Sequence, residues 1–437
     1  MPLIPQFSGA RAALLVSAVL AFAGVAIGQP LPTASPDSVG LSAERLARLT
    51  QTFKDEIAQG RLPGAVMMVA RRGKLVYAEA LGMQDKAAGV PMSRDSIFRI
   101  YSMTKPLASV AAMLLVEEGK MQLTDPVSKF LPAMRNLQVS VARADAEFAR
   151  LSYTTVAAER EMTVQDLLRH TSGLADAEVT QNAPVKDAYA KSGLYKPAGP
   201  SYESRDMTPA EHVERVSKAP LIHQPGTYWE YSIATDVLGR VVEAVSGKTL
   251  GAFLDERLFK PLKMTDTGFW VPPEKIKRLA QTAPEVTIKT LDMSQEPKND
   301  GGAAGGVSTG GDYVRFTQML LNGGRLDGTR ILSRNTVALM TSDHLGTRIG
   351  APVTPGELLL QVPGYTFGLG FAVRQGPGVA GVAGSQGEFM WGGWAGTFFW
   401  GDPKEEIVGV YLTQSPGPVR PYYRRLFKNL VYQAIND

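Results

Sequence analysis

The chain has 437 residues, 44% of them hydrophobic and 20% charged, so it can bury a large core and has an ordinary globular composition. Its 46 lysines and arginines barely outnumber the 42 acidic residues, which leaves a net charge of +4. There is no basic run or basic–aromatic stripe, so nucleic acid is not an expected partner. The chain contains no cysteine, which excludes disulfides, thiol catalysis and thiolate metal sites.

The first residues have the pattern of an export signal. Arg11 precedes an uncharged apolar stretch over residues 12–27, and small residues follow at the expected cleavage position. An N-terminal membrane anchor is the alternative, but the apolar stretch is short for a membrane span. We therefore predict a signal peptide over residues 1–29, a periplasmic or secreted protein, and no stable membrane insertion after signal cleavage.

The predicted elements change in kind along the chain: strands are expected near both ends and helices in the middle. In chain order, the pattern predicts a helix over residues 42–58, strands over 64–70 and 74–80, a helix from Ser102 to Gly119, mostly helical structure over 163–245, a glycine-rich loop over 301–306, a helix capped by Asp312 and ending at Leu321, strands over 388–400 and 406–414, and a helix over 419–435.

This distribution predicts an α/β (α+β) fold in which both termini build one antiparallel sheet flanked by helices. The predicted sheet domain comprises residues 30–162 and 301–437. A mainly helical domain, residues 163–300, is predicted as an insertion between the two parts of the sheet domain.

Ser102 and Lys105 form the first candidate catalytic pair. They lie three residues apart at the start of a predicted helix, so their side chains are expected to project together. The unpaired N–H groups and the dipole of a first helical turn favour an alkoxide-like serine. A serine becomes a nucleophile when a base takes its proton, and a buried lysine can be that base. One Ser-x-x-Lys sequence can arise by chance, so other residues must support this interpretation.

Such a hydrolase also needs a second proton-handling group and an oxyanion hole. Tyr231 follows a Pro-Gly turn and precedes a predicted helix, a position that can hold a phenol at the mouth of a cleft. In the segment from Trp391 to Trp394, Gly392 and Gly393 let backbone N–H groups approach a ligand closely. Taken alone, Tyr231 is more simply a packing residue and the glycine segment a kinked strand.

Several motifs together resemble a known family. They are the Ser102-x-x-Lys105 segment, the His-Thr-Ser-Gly-Leu sequence at 170–174, the tyrosine segment at 225–232 and the segment 305–316. In this order they are similar to the serine β-lactamase and penicillin-binding superfamily, and more narrowly to the class C-like carboxylesterases called family VIII. The resemblance extends from about residue 40 to the C-terminus and implies a β-lactamase/transpeptidase-like fold.

Two departures from the β-lactamase pattern point to the esterase branch. Ile233 stands where β-lactamases carry asparagine, and Trp391 stands where they carry the lysine of Lys-Thr-Gly. Both changes are expected to make the cleft more apolar and less suited to an anionic antibiotic. The resemblance therefore implies a serine carboxylesterase acting on a small-molecule ester, with β-lactam hydrolysis at most as a weak side activity.

The resemblance also implies roles for individual residues. Ser102 is the expected nucleophile of an acyl-enzyme, and the sequence leaves open whether Lys105 or Tyr231 is the primary base. The backbone N–H groups of Ser102 and Trp394 are the expected oxyanion hole. The substrate is expected to contact Trp391, Gly392, Gly393 and Ile233. No cofactor and no metal are expected, and the oligomeric state is undetermined.

Rival interpretations remain at this stage. Ser308 fits the Gly-x-Ser-x-Gly pattern of α/β-hydrolases, but no apolar strand leads into it and only His344 follows it. Ser385 has a similar near match and no later histidine. The four histidines are too scattered for a metal site, and His170 is expected to be a structural residue at a helix end. A β-lactamase, a D-alanyl-D-alanine carboxypeptidase, a transacylase and a non-turnover penicillin-binding sensor stay as alternatives.

Overall fold

The computed structural model describes residues 1–3, 30–145, 150–195 and 204–437. Apart from its first three residues, the predicted signal peptide at 1–29 lies outside the described residues. Within the part of the chain that is described, no helix has the length and apolar character needed to cross a membrane.

Fourteen strands are described. They are β1 (Gly64–Arg71), β2 (Lys74–Asp85), β3 (Val90–Pro91), β4 (Phe98–Arg99), β5 (Gln138–Asp145), β6 (Arg150–Ala157), β7 (Val307–Ser308), β8 (Arg325–Leu326), β9 (Thr329–Arg330), β10 (Tyr365–Phe367), β11 (Ala372–Arg374), β12 (Phe389–Gly392), β13 (Phe398–Asp402) and β14 (Ile407–Leu412).

Eleven α-helices accompany them. They are α1 (Ala43–Ala58), α2 (Thr104–Glu117), α3 (Val164–Leu168), α4 (Ala183–Lys191), α5 (Pro209–Ser217), α6 (Ala234–Ser246), α7 (Leu250–Leu254), α8 (Gly310–Leu321), α9 (Arg334–Met340), α10 (Pro355–Leu360) and α11 (Arg420–Tyr432).

One eight-stranded antiparallel sheet joins the two ends of the chain, in the order β10-β11-β12-β13-β14-β1-β2-β3. The N-terminal and C-terminal parts meet where β1 pairs with β14, with Val66 opposite Leu412. All eight residues of β1 are buried, so both faces of the sheet are covered at its centre. Helices α1 and α11 pack against each other and against β2 and β14, while α8 packs against β1, β13 and β14. The predicted sheet from both termini is confirmed.

Helix α2 positions the candidate catalytic pair within the fold. Its residues from Thr104 to Leu115 are buried, and it packs against α6 and α7 of the mainly helical region. An apolar helix that is buried all round is expected between two packed layers rather than at a surface. The start of α2 is therefore held rigidly between the sheet and the helical region.

Two predicted elements of the C-terminal part of the chain differ in the structure. The strand expected over residues 388–400 is two strands, β12 and β13, because the chain turns between Gly393 and Thr397. Asp312 does not cap α8; the side chain of Thr309 accepts the cap hydrogen bond, and Asp312 is the donor through its backbone N–H. The carboxylate of Asp312 instead accepts hydrogen bonds from the Asp266 N–H and the Thr267 hydroxyl.

The hairpin of β5 and β6 forms a two-stranded sheet of its own. It is tied to the helical region because the Ser140 N–H donates to the carbonyl oxygen of Leu221 at 2.7 Å. The predicted domain boundaries at 162/163 and 300/301 stay a prediction.

Candidate active site

Ser102 lies in a single 3-10 turn, Tyr101–Met103, immediately before α2. The prediction that Ser102 lies on the helix itself is wrong, because α2 begins at Thr104. Tyr101 has a φ of 44°, a left-handed conformation that costs a bulky residue about 1–3 kcal/mol. Two hydrogen bonds from the 305–316 segment and its surroundings hold this turn: Tyr313 Oη donates to the Met103 carbonyl oxygen at 2.7 Å, and the Gly306 N–H donates to Thr104 Oγ1 at 2.9 Å.

The three predicted catalytic side chains lie together. Ser102 Oγ is 2.6 Å from Tyr231 Oη, and Lys105 Nζ is 3.5 Å from Ser102 Oγ. Lys105 is only 3% exposed, and its Nζ lies 4.5 Å from the centre of the Tyr231 ring. A hydroxyl, a phenol and a buried amine within hydrogen-bonding reach can exchange one proton among themselves.

The glycine-rich loop at 301–306 positions Lys105. Lys105 Nζ donates to the Ala303 carbonyl oxygen at 3.0 Å, and the Ala303 N–H donates to Asp236 Oδ1 at 2.9 Å. A Cβ on Gly302 would lie 2.6 Å from the Thr235 carbonyl oxygen, so only glycine lets the loop pack this closely on α6. The loop therefore fixes the lysine amine against the serine.

His170 follows α3 and supports Tyr231 rather than acting as a base. It is 2% exposed, its Nδ1 lies 2.9 Å from Ser232 Oγ, and its ring centre is 5.3 Å from that of Tyr231. Burial, helped by the charge of Lys105, lowers the pKa of His170 well below its usual value, so the ring is neutral at neutral pH. This position matches the structural role expected for a histidine at a helix end.

Asp166 holds the segment that follows α3. Its buried carboxylate accepts hydrogen bonds from Arg160 Nη1 at 2.6 Å, from the Thr163 N–H at 3.0 Å and from Thr171 Oγ1 at 2.7 Å. Burial acts to raise the pKa of Asp166, but the hydrogen bonds from Arg160, Thr163 and Thr171 outweigh it and hold this pKa below its usual value. The carboxylate is thus a charged anchor for the 170–174 sequence behind Tyr231.

The turn after β12 brings Trp394 to the nucleophile. A Cβ on Gly393 would lie 2.3 Å from the Ile100 carbonyl oxygen, so the absence of a side chain is what allows this approach. Thr397 Oγ1 also donates to the Ile100 carbonyl oxygen, at 3.3 Å, and the rings of Tyr101 and Trp394 lie 5.2 Å apart. The backbone of the predicted oxyanion segment thus lies directly beside the serine turn.

Two arginines of α11 hold that turn, and sequence reasoning missed both. Arg420 Nη1 donates to the Trp394 carbonyl oxygen at 3.0 Å, and Arg424 Nη2 donates to the Gly393 carbonyl oxygen at 2.6 Å. With these carbonyl oxygens occupied by the arginines, the peptide planes of the turn are fixed. The available signal was the spacing: two arginines four residues apart on a predicted helix share one face.

Beside the cavity, Arg424 is buried and Arg420 is half-buried. Burial, with the nearby charge of Arg420, lowers the pKa of Arg424 to about 9. Burial also lowers the pKa of Arg420, against the opposing influence of Glu178 and Tyr231. The sequence analysis predicted a more apolar cleft from the replacement of Lys-Thr-Gly by Trp391-Gly392-Gly393, but these two arginines add cationic groups to its lining.

A cavity of about 190 Å³ opens above Ser102. Every residue predicted for catalysis, oxyanion binding or substrate contact lines it: Ser102, Lys105, Tyr231, Ile233, Trp391, Gly392, Gly393 and Trp394. Charged residues that the sequence did not indicate line it too: Asp176, Glu178, Lys289, Arg420 and Arg424. Partial desolvation, helped by the neighbouring Asp176, raises the pKa of Glu178 to about 7, although this residue stays exposed to solvent.

The rival serine is not placed for catalysis. Ser308 is fully buried in the short strand β7, and its hydroxyl lies 2.8 Å from Thr267 Oγ1. His344 interacts elsewhere, with its Nε2 2.8 Å from the Leu339 carbonyl oxygen and its Nδ1 3.2 Å from Gln165 Nε2. Within the described ranges, no three histidine or acidic side chains cluster in a way that could hold a metal ion.

Comparison with known proteins agrees with this fold. The β-lactamase family model matches residues 49–432. Protein Rv1367c of Mycobacterium tuberculosis is 36% identical over 377 residues, covering 81% of this chain and 86% of its own. Esterase EstB of Burkholderia gladioli is 31% identical over 403 residues, covering 87% of this chain and 93% of its own.

Among solved structures, EstCE1, described as a hydrolase with promiscuous acyltransferase activity, superposes with a TM-score of 0.72 at 27% identity. The match covers 89% of this chain and 99% of EstCE1. Fold and site together define a hydrolase of the serine β-lactamase type. The chain belongs to the β-lactamase family, and its esterase relatives support serine hydrolase activity on esters.

Proposed function

We propose that this protein is a carboxylesterase that hydrolyses esters through an acyl-enzyme on Ser102. The observation that carries the proposal is the contact among Ser102 Oγ, Tyr231 Oη at 2.6 Å and Lys105 Nζ at 3.5 Å, inside a cavity of about 190 Å³. The similarity to esterase EstB supports an ester as the substrate class.

Acylation begins when Ser102 Oγ attacks the ester carbonyl carbon and its proton passes to the pair of Tyr231 and Lys105. The negative charge that develops on the carbonyl oxygen is stabilised by the N–H groups of Ser102 and Trp394, an interaction worth about 3 kcal/mol for one donor. The bond from the carbonyl carbon to the alcohol oxygen then breaks. Tyr231 returns the proton to the leaving alcohol, which departs.

Deacylation repeats these steps with water. The pair of Tyr231 and Lys105 takes a proton from the water that attacks the acyl-enzyme, and the bond from the carbonyl carbon to Ser102 Oγ breaks. Ser102 recovers its proton and the carboxylic acid leaves. Trp391, Gly392, Gly393 and Ile233 form the walls against which the substrate is held.

The test compares Ser102→Ala with Ser308→Ala on p-nitrophenyl butyrate. We expect Ser102→Ala to lower kcat by at least about a thousandfold, because loss of the nucleophile leaves only residual catalysis by the rest of the site. Ser308→Ala is the matched control and should keep most of the activity. Activity that depends on Ser308 and survives Ser102→Ala would contradict the proposal.

Transfer of the acyl group to an alcohol is the second candidate, favoured by the structural similarity to EstCE1, a hydrolase with promiscuous acyltransferase activity. Both reactions share the acyl-enzyme and differ only in the acceptor. Adding a short alcohol during p-nitrophenyl butyrate turnover decides between them. Butyrate ester formation that exceeds butyric acid release would make the protein a transacylase first.

We also propose export through residues 1–29, on the sequence pattern alone. When the protein is expressed with its signal in a Gram-negative host, we expect it in the periplasm or medium. Its measured mass should be that of a chain that begins at residue 30. A full-length chain retained in the cell would contradict this proposal.

A further inference from the structure

A second cavity of about 340 Å³ lies next to the one above Ser102. Three residues line both cavities: Val179, Tyr231 and Leu358. Each of the three is partly exposed rather than buried, so together they form a rim between two open spaces. A ligand that fills the first cavity can therefore extend over this rim into the second.

The surface that lines the second cavity is more apolar than polar. Its walls include Ile222, Trp229, Pro352 and Val353, and the side chain of Val353 is 51% exposed. Of these, Pro352 and Val353 are exposed to water, so covering them with an apolar ligand lowers the free energy. The lining therefore suits hydrocarbon rather than a charged group.

The concave surface continues beyond the second cavity. A third cavity of about 600 Å³, beside the hairpin of β5 and β6, shares Gln181, Asn182, Ile222 and His223 with the second. His223 Nε2 lies 3.8 Å from Glu230 Oε2, and its ring centre is 4.6 Å from that of Tyr228. The three cavities thus form a trough that starts at the nucleophile, and the lining of its second and third parts is more apolar than polar.

Size indicates that the first cavity does not hold the whole substrate. At about 190 Å³ it is smaller than the range of about 300–1,000 Å³ usual for small-molecule sites. The second cavity, at about 340 Å³, provides the missing volume on the side of Tyr231. In the proposed mechanism Tyr231 gives its proton to the leaving alcohol, so the alcohol side of the ester faces this rim.

We propose that the second cavity binds the apolar body of the alcohol portion, so that the preferred substrates are esters of large apolar alcohols with a small acyl group. This inference rests on the proposed esterase function. It adds that selectivity is set on the alcohol side, by the walls of the second cavity, while the acyl side is confined to the small cavity between Trp391 and Trp394.

The test uses two series of esters with the purified mature protein. Ethyl, butyl, hexyl and octyl butyrate vary the alcohol, and p-nitrophenyl acetate, butyrate, hexanoate and octanoate vary the acyl chain. Each buried methylene is worth up to about fourfold, so kcat/KM should rise at least tenfold from ethyl to octyl butyrate. The acyl series should show no comparable rise. A rise confined to the acyl series, or no rise in either, would overturn the proposal.

A matched pair of variants locates the effect. Val353→Asp places a charge in the second cavity and should bring the octyl-to-ethyl ratio of kcat/KM close to one. Val379→Asp makes the same change at a residue that is 62% exposed and lines none of the three cavities, so it should leave the ratio as it is. An unchanged ratio in Val353→Asp would refute the assignment of the second cavity.

The experiments distinguish an error in the proposed esterase mechanism from an error in the role of the second cavity. If Ser102→Ala keeps its activity on ethyl butyrate, the proposed mechanism is wrong whatever the chain-length profile. If Ser102→Ala is inactive and the alcohol series is flat, the mechanism stands and only the role of the second cavity is refuted.

Discussion

Substitution of Gly393 by alanine tests how the oxyanion turn is built. The added methyl group would lie 2.2 Å from Thr397 Oγ1 and 2.3 Å from the Ile100 carbonyl oxygen, both far inside van der Waals contact. The Ile100 carbonyl belongs to the backbone just before the serine turn, so it cannot rotate away as a side chain would. The turn must therefore move back, and the Trp394 N–H moves with it, away from the developing oxyanion.

Loss of one oxyanion donor costs about 2.7–4 kcal/mol, so kcat of Gly393→Ala on p-nitrophenyl butyrate should fall by about a hundredfold to a thousandfold. KM should change much less, because the donor acts mainly on the transition state. Steady-state kinetics and the rate of labelling by a fluorophosphonate both report this loss. Thermal unfolding, followed alongside, shows whether the variant is folded at the assay temperature.

Gly376→Ala is the control for this variant. No atom lies within 4 Å of a Cβ placed there, so activity and Tm should both stay close to the parent values. A folded Gly393→Ala protein with kcat within threefold of the parent would refute the argument that this turn supplies an oxyanion donor.

Three further predictions concern single side chains. Tyr231→Phe should lower kcat by about a hundredfold to ten-thousandfold because it removes a proton-transfer group. Tyr422→Phe, the control change at an exposed tyrosine of α11, should leave kcat unchanged. Equal kcat values for the two variants would contradict the role of Tyr231. Because the pKa of Glu178 is raised to about 7, this group gains its negative charge between about pH 6 and 8. Over this pH range, KM for the anionic substrate mono-p-nitrophenyl succinate should rise about fivefold relative to KM for p-nitrophenyl butyrate. This factor corresponds to about 1 kcal/mol, the repulsion of two like charges 4 Å apart in water. Glu178→Gln should abolish that rise, and a persistent rise in the variant would assign it to another group. Asp166→Asn should lower the free energy of unfolding by about 2 kcal/mol, since it leaves buried donors without their anion. The pKa of Asp166 is held below 3.8 in the folded protein, so this stabilisation is present above pH 3.8 and is lost as the pH falls through the folded pKa. Urea unfolding of both proteins at pH 7 and pH 3 measures the difference in their free energies of unfolding. A difference that is larger at pH 3 than at pH 7 would contradict the assignment.

The motifs predicted the fold and the site better than the local conformations. Hydrophobic patterns located α1, β1, β2 and α11 because each buries one face or both, and the order of the motifs placed Ser102, Lys105 and Tyr231 in one site. The 3-10 turn at Ser102 was not predictable, because it depends on contacts with Gly306 and Tyr313, more than 200 residues away.

The sequence analysis also failed to predict the cationic groups that α11 brings to the cavity, for a related physical reason. The pattern of α11 predicted a helix but not which of its residues point at Gly393 and Trp394. That choice is made when the helix docks on the turn and Arg420 and Arg424 find its carbonyl oxygens. Likewise, the turn between β12 and β13 exists because Gly393 fits against Ile100, a contact between distant parts of the chain.

The central claim is that Ser102 is acylated during turnover, with Tyr231 and Lys105 handling its proton. Rapid acid quenching of the reaction with p-nitrophenyl butyrate, followed by peptide mass spectrometry, measures this directly. The account predicts a butyryl group on the peptide that contains Ser102, which is absent from Ser102→Ala and much slower to form in Lys105→Met. A butyryl group on the peptide of Ser308, or turnover with no acylated peptide at all, would contradict it.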